Sequence, residues 1–221
     1  NIMYPINFKN KLFGRKRGRN NKKIKSEEYY KIIEQYRVQK FDKSEKYILD
    51  IGTGYGETSL YLAKKYKDKQ VISCEKYIDG NLNLQKKIKE YNLDNIKIHP
   101  GNVYDLLDLK DDIKYFDLVW IFFPDPWPKN KHHKRRLITV KFLKNIYDIL
   151  NRNGEINIVT DSVSYTRFIL SSIYKTKHLY KWANQYCFHL KLKDYYDLET
   201  KFYKKAIISG RKPSLFILKK I

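Results

Sequence analysis

The residues with the most chemistry in them are Asp125, Trp127, Lys129, Lys131, Lys134, Arg135 and Arg136, in the stretch I-F-F-P-D-P-W-P-K-N-K-H-H-K-R-R that begins at Ile121. Pro124 and Pro126 flank the acid, and proline fixes φ, donates no hydrogen bond and keeps the preceding residue out of helix. The carboxylate of Asp125 is therefore held on a stiff turn. Trp127 offers a flat apolar face, and five cations follow with no acid among them, a set that suits a polyanion rather than a metal ion. A loop aspartate can equally cap the next helix while the cations stay solvated, so the rest of the chain has to decide.

A second constellation lies upstream. Leu49-Asp50-Ile51-Gly52-Thr53-Gly54-Tyr55-Gly56-Glu57 closes a strand-like run and opens a helix-like one. Gly52, Gly54 and Gly56 allow a tight turn and close approach of a ligand to the helix start. Nicotinamide, flavin and adenosylmethionine sites share such turns, but the spacing is G-x-G-x-G rather than G-x-G-x-x-G. Asp50 would face a pyrophosphate in a dinucleotide site, whereas in an S-adenosylmethionine site it receives an ammonium, so the charge logic favours S-adenosylmethionine. Glu75 ends the next strand, placed to accept from the two ribose hydroxyls. Asn102 either reads an adenine edge, with Val103 packed on the ring, or simply caps a helix.

These residues need strand ends to stand on. Apolar runs at 47–51, 71–75, 96–99, 116–123, 155–160, 186–192 and 214–218 read as strands; 57–66, 79–91, 104–109, 137–150 and 163–174 read as helices. Ser26 reads as the N-cap of a further helix running to Gln39. Apolar strands alternating with helices define an α/β fold with a doubly wound, mostly parallel seven-stranded sheet, its last two strands forming an antiparallel edge pair. Ligands of such sheets bind beyond the carboxyl ends of the strands, where Asp50, Glu75, Asn102, Asp125 and Asp161 fall.

The 221 residues suit one domain, 26–221, preceded by a basic arm, 1–25. Between Lys9 and Lys25 the arm holds Lys9, Lys11, Arg15, Lys16, Arg17, Arg19, Lys22, Lys23 and Lys25 and no acid, as a nucleic-acid clamp would. The formal net charge of +22 also points to a polyanionic partner, although a lysine-rich composition raises the total everywhere. Cys74 and Cys187 show no metal or redox spacing, and no function is assigned to them. The sequence shows neither a membrane span nor a signal peptide, which makes a cytoplasmic location the expectation. A chain that does not begin with Met is compatible with fusion to a domain N-terminal of it.

The ordered set D-I-G-T-G-Y-G-E, C-E-K, G-N-V, F-F-P-D-P-W-P-K with H-H-K-R-R, then V-T-D resembles the bacterial tRNA (guanine-N7)-methyltransferase family from about Ile48 onward. The resemblance implies a Rossmann-like methyltransferase fold, S-adenosylmethionine as cofactor, no metal, tRNA as partner, and the variable-loop guanine 46 as methyl acceptor. It puts Asp50, Gly52, Gly54, Glu75, Asn102 and Val103 on cofactor-binding positions and Asp125 on the catalytic, cofactor-side acid. Lys129, Asp161, Thr200 and Tyr203 fall on substrate-binding positions. Two residues depart from the family: Asn102 stands where an Asp is usual, and Tyr203 stands where the T-x-aromatic-E element carries its acid.

Guanine N7 has a lone pair and no proton, so the implied step needs no general base. Positioning and stabilisation of arriving positive charge remain. Asp125 suits both, by accepting from guanine N1–H and its amino group. Trp127 either stacks on the base or packs beneath the loop, His132 and His133 suit phosphate or packing contacts, and Asp161 either holds substrate or caps a helix. Two other classes stay open: a methyltransferase acting on another RNA base or a protein amide, and a non-catalytic RNA-binding protein. Product mass spectrometry and cofactor calorimetry separate them.

Overall fold

The computed structural model describes residue 16 and residues 24–42, 44–107, 116–185 and 191–221. Its strands are β1 (Tyr47–Ile51), β2 (Gln70–Cys74), β3 (Ile96–His99), β4 (Phe116–Phe122), β5 (Leu150–Thr160), β6 (Tyr180–Trp182) and β7 (Ser214–Lys220). They form a seven-stranded sheet in the order β3-β2-β1-β4-β5-β7-β6, mostly parallel with an antiparallel edge, as the alternation of apolar runs and helices predicts. The chain divides into two compact units, Asn1–Tyr115 and Phe116–Ile221.

In the first unit β1 pairs parallel with β2, and β2 with β3. Every residue of β1 is buried, which is why the run lacks the alternation of a half-exposed strand. The helices are α1 (Ser26–Ile33), α2 (Glu57–Lys65), α3 (Ile78–Glu90) and the short α4 (Val103–Leu107). Tyr29 and Ile33 of α1 form an apolar cluster with Ile78 of α3. Two expectations are corrected here. Ser26 is the first helical residue and not a cap, since Lys25 holds the N-cap position with no side-chain bond. The helix stops at Ile33, because Arg37 returns to the sheet in a bridge with Ile98 while its guanidinium pairs with Glu34 at 2.9 Å.

In the second unit β4 runs parallel with β5, and β7 pairs antiparallel with both β5 and β6. Its helices are α5 (Val140–Ile149), α6 (Val163–Lys175) and α7 (Lys201–Ile208). Thr139, Ser162 and Thr200 cap them, each hydroxyl accepting the backbone N–H three residues on. The expected edge strand at 186–192 is not where the sheet's edge lies: β6 occupies 180–182, and Leu192 opens a 3₁₀ turn (Leu192–Asp194). Residues 186–190 of that expectation, Cys187 included, lie outside the described residues, as does most of the basic arm. Asn184 explains the early end of β6. Its Nδ2 donates to the Leu215 carbonyl at 3.0 Å and its Oδ1 accepts from Ile217 N–H at 2.8 Å, so a side chain replaces the strand ladder.

Candidate active site

The glycine turn of the first unit is built around two buried acids. Asp50 is 1% exposed near the end of β1, and one oxygen, Oδ2, accepts from Thr58 Oγ1 at 2.6 Å and Ser59 Oγ at 2.7 Å in the first turn of α2. The other oxygen, Oδ1, is buried and has no hydrogen-bond partner among the described residues. Burial pushes the Asp50 carboxyl up to about 7 against the lowering pull of those two hydroxyls, and the charge of Glu75 adds to the rise. A buried carboxylate oxygen left unpaired costs free energy until an N–H donor or a cation meets it. That vacant bond fits the ammonium of S-adenosylmethionine.

Glu75 shapes the same turn from β2. Gly54 N–H donates to its Oε2 at 2.8 Å and Tyr77 N–H to its Oε1 at 2.9 Å, and the Lys76 N–H bonds the same carboxylate, which leaves it part of its acceptor capacity for a diol. Burial raises its pKa despite those donors. Gly52, Gly54 and Gly56 all have positive φ (76°, 57° and 86°), the left-handed backbone that favours glycine. Tyr55 and Tyr77 rim the turn, their rings edge to face at 5.6 Å.

The third strand end lies beside the second, since Glu75 N–H donates to the His99 carbonyl at 3.1 Å. Asn102 Oδ1 accepts from Tyr104 N–H at 3.2 Å at the start of α4, the helix-start bond that was one of its two readings. Val103 is buried at 3%. The structure thus gathers Asp50, Gly52, Gly54 and Glu75 around one turn, with Asn102 and Val103 on the neighbouring strand end.

In the second unit the Pro-Asp-Pro turn is clamped from both sides. Phe123 (φ 53°) and Trp127 (φ 43°) are both left-handed and both precede proline, a costly backbone for bulky residues that persists only when the surroundings enforce it. Phe123 N–H extends the β4 ladder to the Val159 carbonyl at 2.7 Å. Trp127 lies beneath the Arg135 guanidinium, 5.0 Å from ring centroid to Cζ, with His132 edge-on at 5.8 Å. The indole therefore packs under its own loop. Partial desolvation, then the charges of Arg135, Lys129 and Lys134, depress the His132 pKa. Asp125 and Lys129 are exposed. Asp125 is near enough to Tyr165 for its charge to raise that phenol, which burial chiefly pushes up to about 12.

Asp161 does not cap α6, because Ser162 accepts the Tyr165 N–H. Its Oδ2 instead accepts from Arg211 Nε at 2.6 Å. Thr200 and Tyr203 sit inside, 4% and 8% exposed. Thr200 caps α7, and the Tyr203 hydroxyl accepts from Leu192 N–H at 3.1 Å. The phenol in place of the family's acid thus anchors the 3₁₀ turn.

Three contributors escaped sequence reading. Arg136, read with its four neighbouring cations as facing a polyanion or else solvent, is buried at 4%. Its Nε donates to the Pro126 carbonyl at 2.9 Å, and its terminal nitrogens to Ser164 O at 3.3 Å and Oγ at 3.0 Å. Gly80 in α3 abuts the glycine turn so closely that a Cβ there would lie 1.8 Å from the Gly54 carbonyl oxygen. His99 Nε2 bonds the Asn102 carbonyl at 3.0 Å; burial drops its pKa to about 4, so the neutral ring donates. The one signal available beforehand was Arg136 as the last of the K-R-R run.

Among the described residues no group of three His, Cys, Asp or Glu side chains could hold a metal, and no helix is long and apolar enough to cross a membrane. The chain is similar in fold to the 16S rRNA methyltransferase KamB (TM-score 0.57, 13% identity, 90% of this chain and 94% of that one). It is likewise similar to an rRNA methylase from Streptococcus thermophilus (TM-score 0.53, 12% identity, 87% and 93%). Sheet order, glycine turn and buried strand-end acids define a Rossmann-like methyltransferase. A methyltransferase family model, described as "Putative methyltransferase", matches residues 44–214. At 35% identity over 172 residues, 78% of this chain and 70% of the relative, the chain is similar to the tRNA (guanine-N(7)-)-methyltransferase of Buchnera aphidicola subsp. Baizongia pistaciae. The enzyme of the same name from Mycoplasmopsis pulmonis is 36% identical over 73% of this chain and 77% of its own length. That from Paracoccus denitrificans is 34% identical over 57% of this chain, which spans only about half (53%) of that relative. The chain belongs to the tRNA (guanine-N(7)-)-methyltransferase family.

Proposed function

We propose that this protein transfers the methyl group of S-adenosylmethionine to N7 of a guanine in tRNA, the variable-loop guanine 46. The observation that carries the reading is the 35% identity with the Buchnera enzyme across 78% of the chain, and the orphaned Asp50 oxygen beneath the glycine turn supports the cofactor. When bound, S-adenosylmethionine supplies a methyl on a sulfonium, which guanine N7 takes with its lone pair while no proton moves.

Asp50 Oδ1 would hold the cofactor's ammonium, Glu75 its ribose hydroxyls, and Asn102 and Val103 its adenine. Asp125 would accept from guanine N1–H and the amino group, a bidentate contact that selects the base by about 1–3 kcal/mol. Its negative charge favours a purine that becomes cationic. Lys129 and Arg211 would meet phosphate, and Asp161, given up by Arg211, would meet the base. We assign the activity to residues 26–221 as one catalytic domain, with the basic arm, 1–25, as an RNA clamp, acting in the cytoplasm.

The test is incubation with methyl-labelled cofactor and unmodified tRNA transcripts, followed by chain cleavage at 7-methylguanosine and mass spectrometry. Label at the variable-loop guanine is expected. Label on an exocyclic amine or in protein, or no transfer, would reject the reading.

A further inference from the structure

Phe202 holds a benzene ring in water. In α7 only Tyr203 and Ala206 are buried, and the residue between Lys201 and Tyr203 is 52% exposed. Its ring stacks on Phe123, with centroids 6.3 Å apart and planes inclined by 26°. Phe123 cannot easily move away. It has a left-handed backbone, φ 53°, its N–H is bonded to the Val159 carbonyl, and Pro124 follows it. The pair therefore forms a short, rigid aromatic stack whose outer ring is open to solvent, one proline away from Asp125.

Its surroundings are cationic. Lys201, Lys204 and Lys205 lie on the same helix, Lys204 beside Glu199 at 3.6 Å, and Arg211, just beyond it, is 44% exposed and paired with Asp161. An exposed ring among cations is the arrangement that holds an unstacked nucleic-acid base, since every base has a π face and aromatic stacking adds to phosphate attraction. A nucleotide offers both a π face for the ring and a phosphate for the basic helix that carries it.

We propose that Phe202, backed by Phe123, is a base-stacking residue that takes the face of the purine presented to Asp125. The assignment rests on the function proposed above and adds a substrate-binding residue to it. It also gives the α7 segment a role that its departing residue, the inward-facing Tyr203, cannot fill.

The experiment compares Phe202→Ala, Phe202→Leu and Phe202→Trp in the full chain. Binding is measured with a tRNA transcript carrying 7-deazaguanine at the acceptor position, which pairs and stacks like guanine but has no N7 to methylate. Phe202→Ala and Phe202→Leu are expected to weaken that binding by about 5-fold to 100-fold, with thermal midpoint and S-adenosylmethionine affinity unchanged, and Phe202→Trp to restore it. Leucine keeps the apolar bulk and loses only the π face, so a Phe202→Leu protein that binds like wild type overturns the proposal. A wild-type protein that makes no 7-methylguanosine would sink the proposed function instead. Methylation by wild type together with unaltered binding by Phe202→Ala would sink the stacking role alone.

Discussion

Asp50 is the residue whose chemistry can be read most directly from its surroundings. Its pKa is raised by burial to about 7 from an ordinary 3.8, so the folded state holds a proton that the unfolded chain releases. Its contribution to stability is then fully present below about pH 3.8 and is lost as pH rises through about 7. An Asp50→Asn protein keeps an acceptor for Thr58 and Ser59 and escapes that loss. It should be more stable than wild type, by about 2 kcal/mol more at pH 8 than at pH 5, in urea melts run at both. The same variant should lose cofactor affinity in calorimetry, since an amide cannot neutralise an ammonium. Equal gains at both pH values would show that Asp50 does not titrate in this window. Asp125 is the opposite case, an exposed acid on a turn. Asp125→Asn should melt as wild type does and lower turnover by about 100-fold or more, read in single-turnover assays; full activity would remove the acid from the mechanism.

Two elements hold these acids in place, and neither shows in the sequence as doing so. α3 touches the glycine turn through Gly80, where alanine would ordinarily stabilise a helix by about 1 kcal/mol. A Gly80→Ala protein should nevertheless bind S-adenosylmethionine at least about tenfold more weakly, because a Cβ would meet the Gly54 carbonyl oxygen; unchanged affinity would mean that the turn yields freely. The Pro-Asp-Pro turn is tied to the start of α6 by Arg136. Removing that guanidinium leaves the Pro126 and Ser164 carbonyls without it, at about 1–3 kcal/mol for each group left unpaired. Lysine has no fork with which to replace it. Arg136→Ala and Arg136→Lys should both lower the melting temperature and turnover; wild-type turnover in both would free the turn from this tie.

These cases also mark what the sequence made legible. The strand-end acids and glycine spacing are local patterns, so Asp50, Glu75 and the sheet could be read from neighbours along the chain. Arg136, Gly80 and His99 act through partners far away in sequence, and a cation in a K-R-R run looks solvated until Pro126 and Ser164 come to meet it. The apolar run 186–192 reads as a strand because aromatic residues favour one, but its described end, Leu192, opens a 3₁₀ turn. Its sheet-edge place is taken by Tyr180–Trp182.

For the molecule as a whole the open question is what its charge of +22 is for. If the lysines only reflect composition, they are spread evenly and each contributes little to any one encounter. If they grip RNA, binding releases condensed counterions, and affinity must fall steeply with salt. Buried Asp50, by contrast, is screened weakly. The two ligands should therefore separate on a salt titration. Between about 50 and 200 mM KCl, tRNA affinity is expected to fall by about 1000-fold, as six or more phosphate contacts require, while S-adenosylmethionine affinity changes by less than about twofold. Filter binding for the RNA and calorimetry for the cofactor measure both in the same buffers. A shallow slope for tRNA, near that of one or two contacts, would mean that recognition rests on the base pocket alone and that most of the positive charge is bystander.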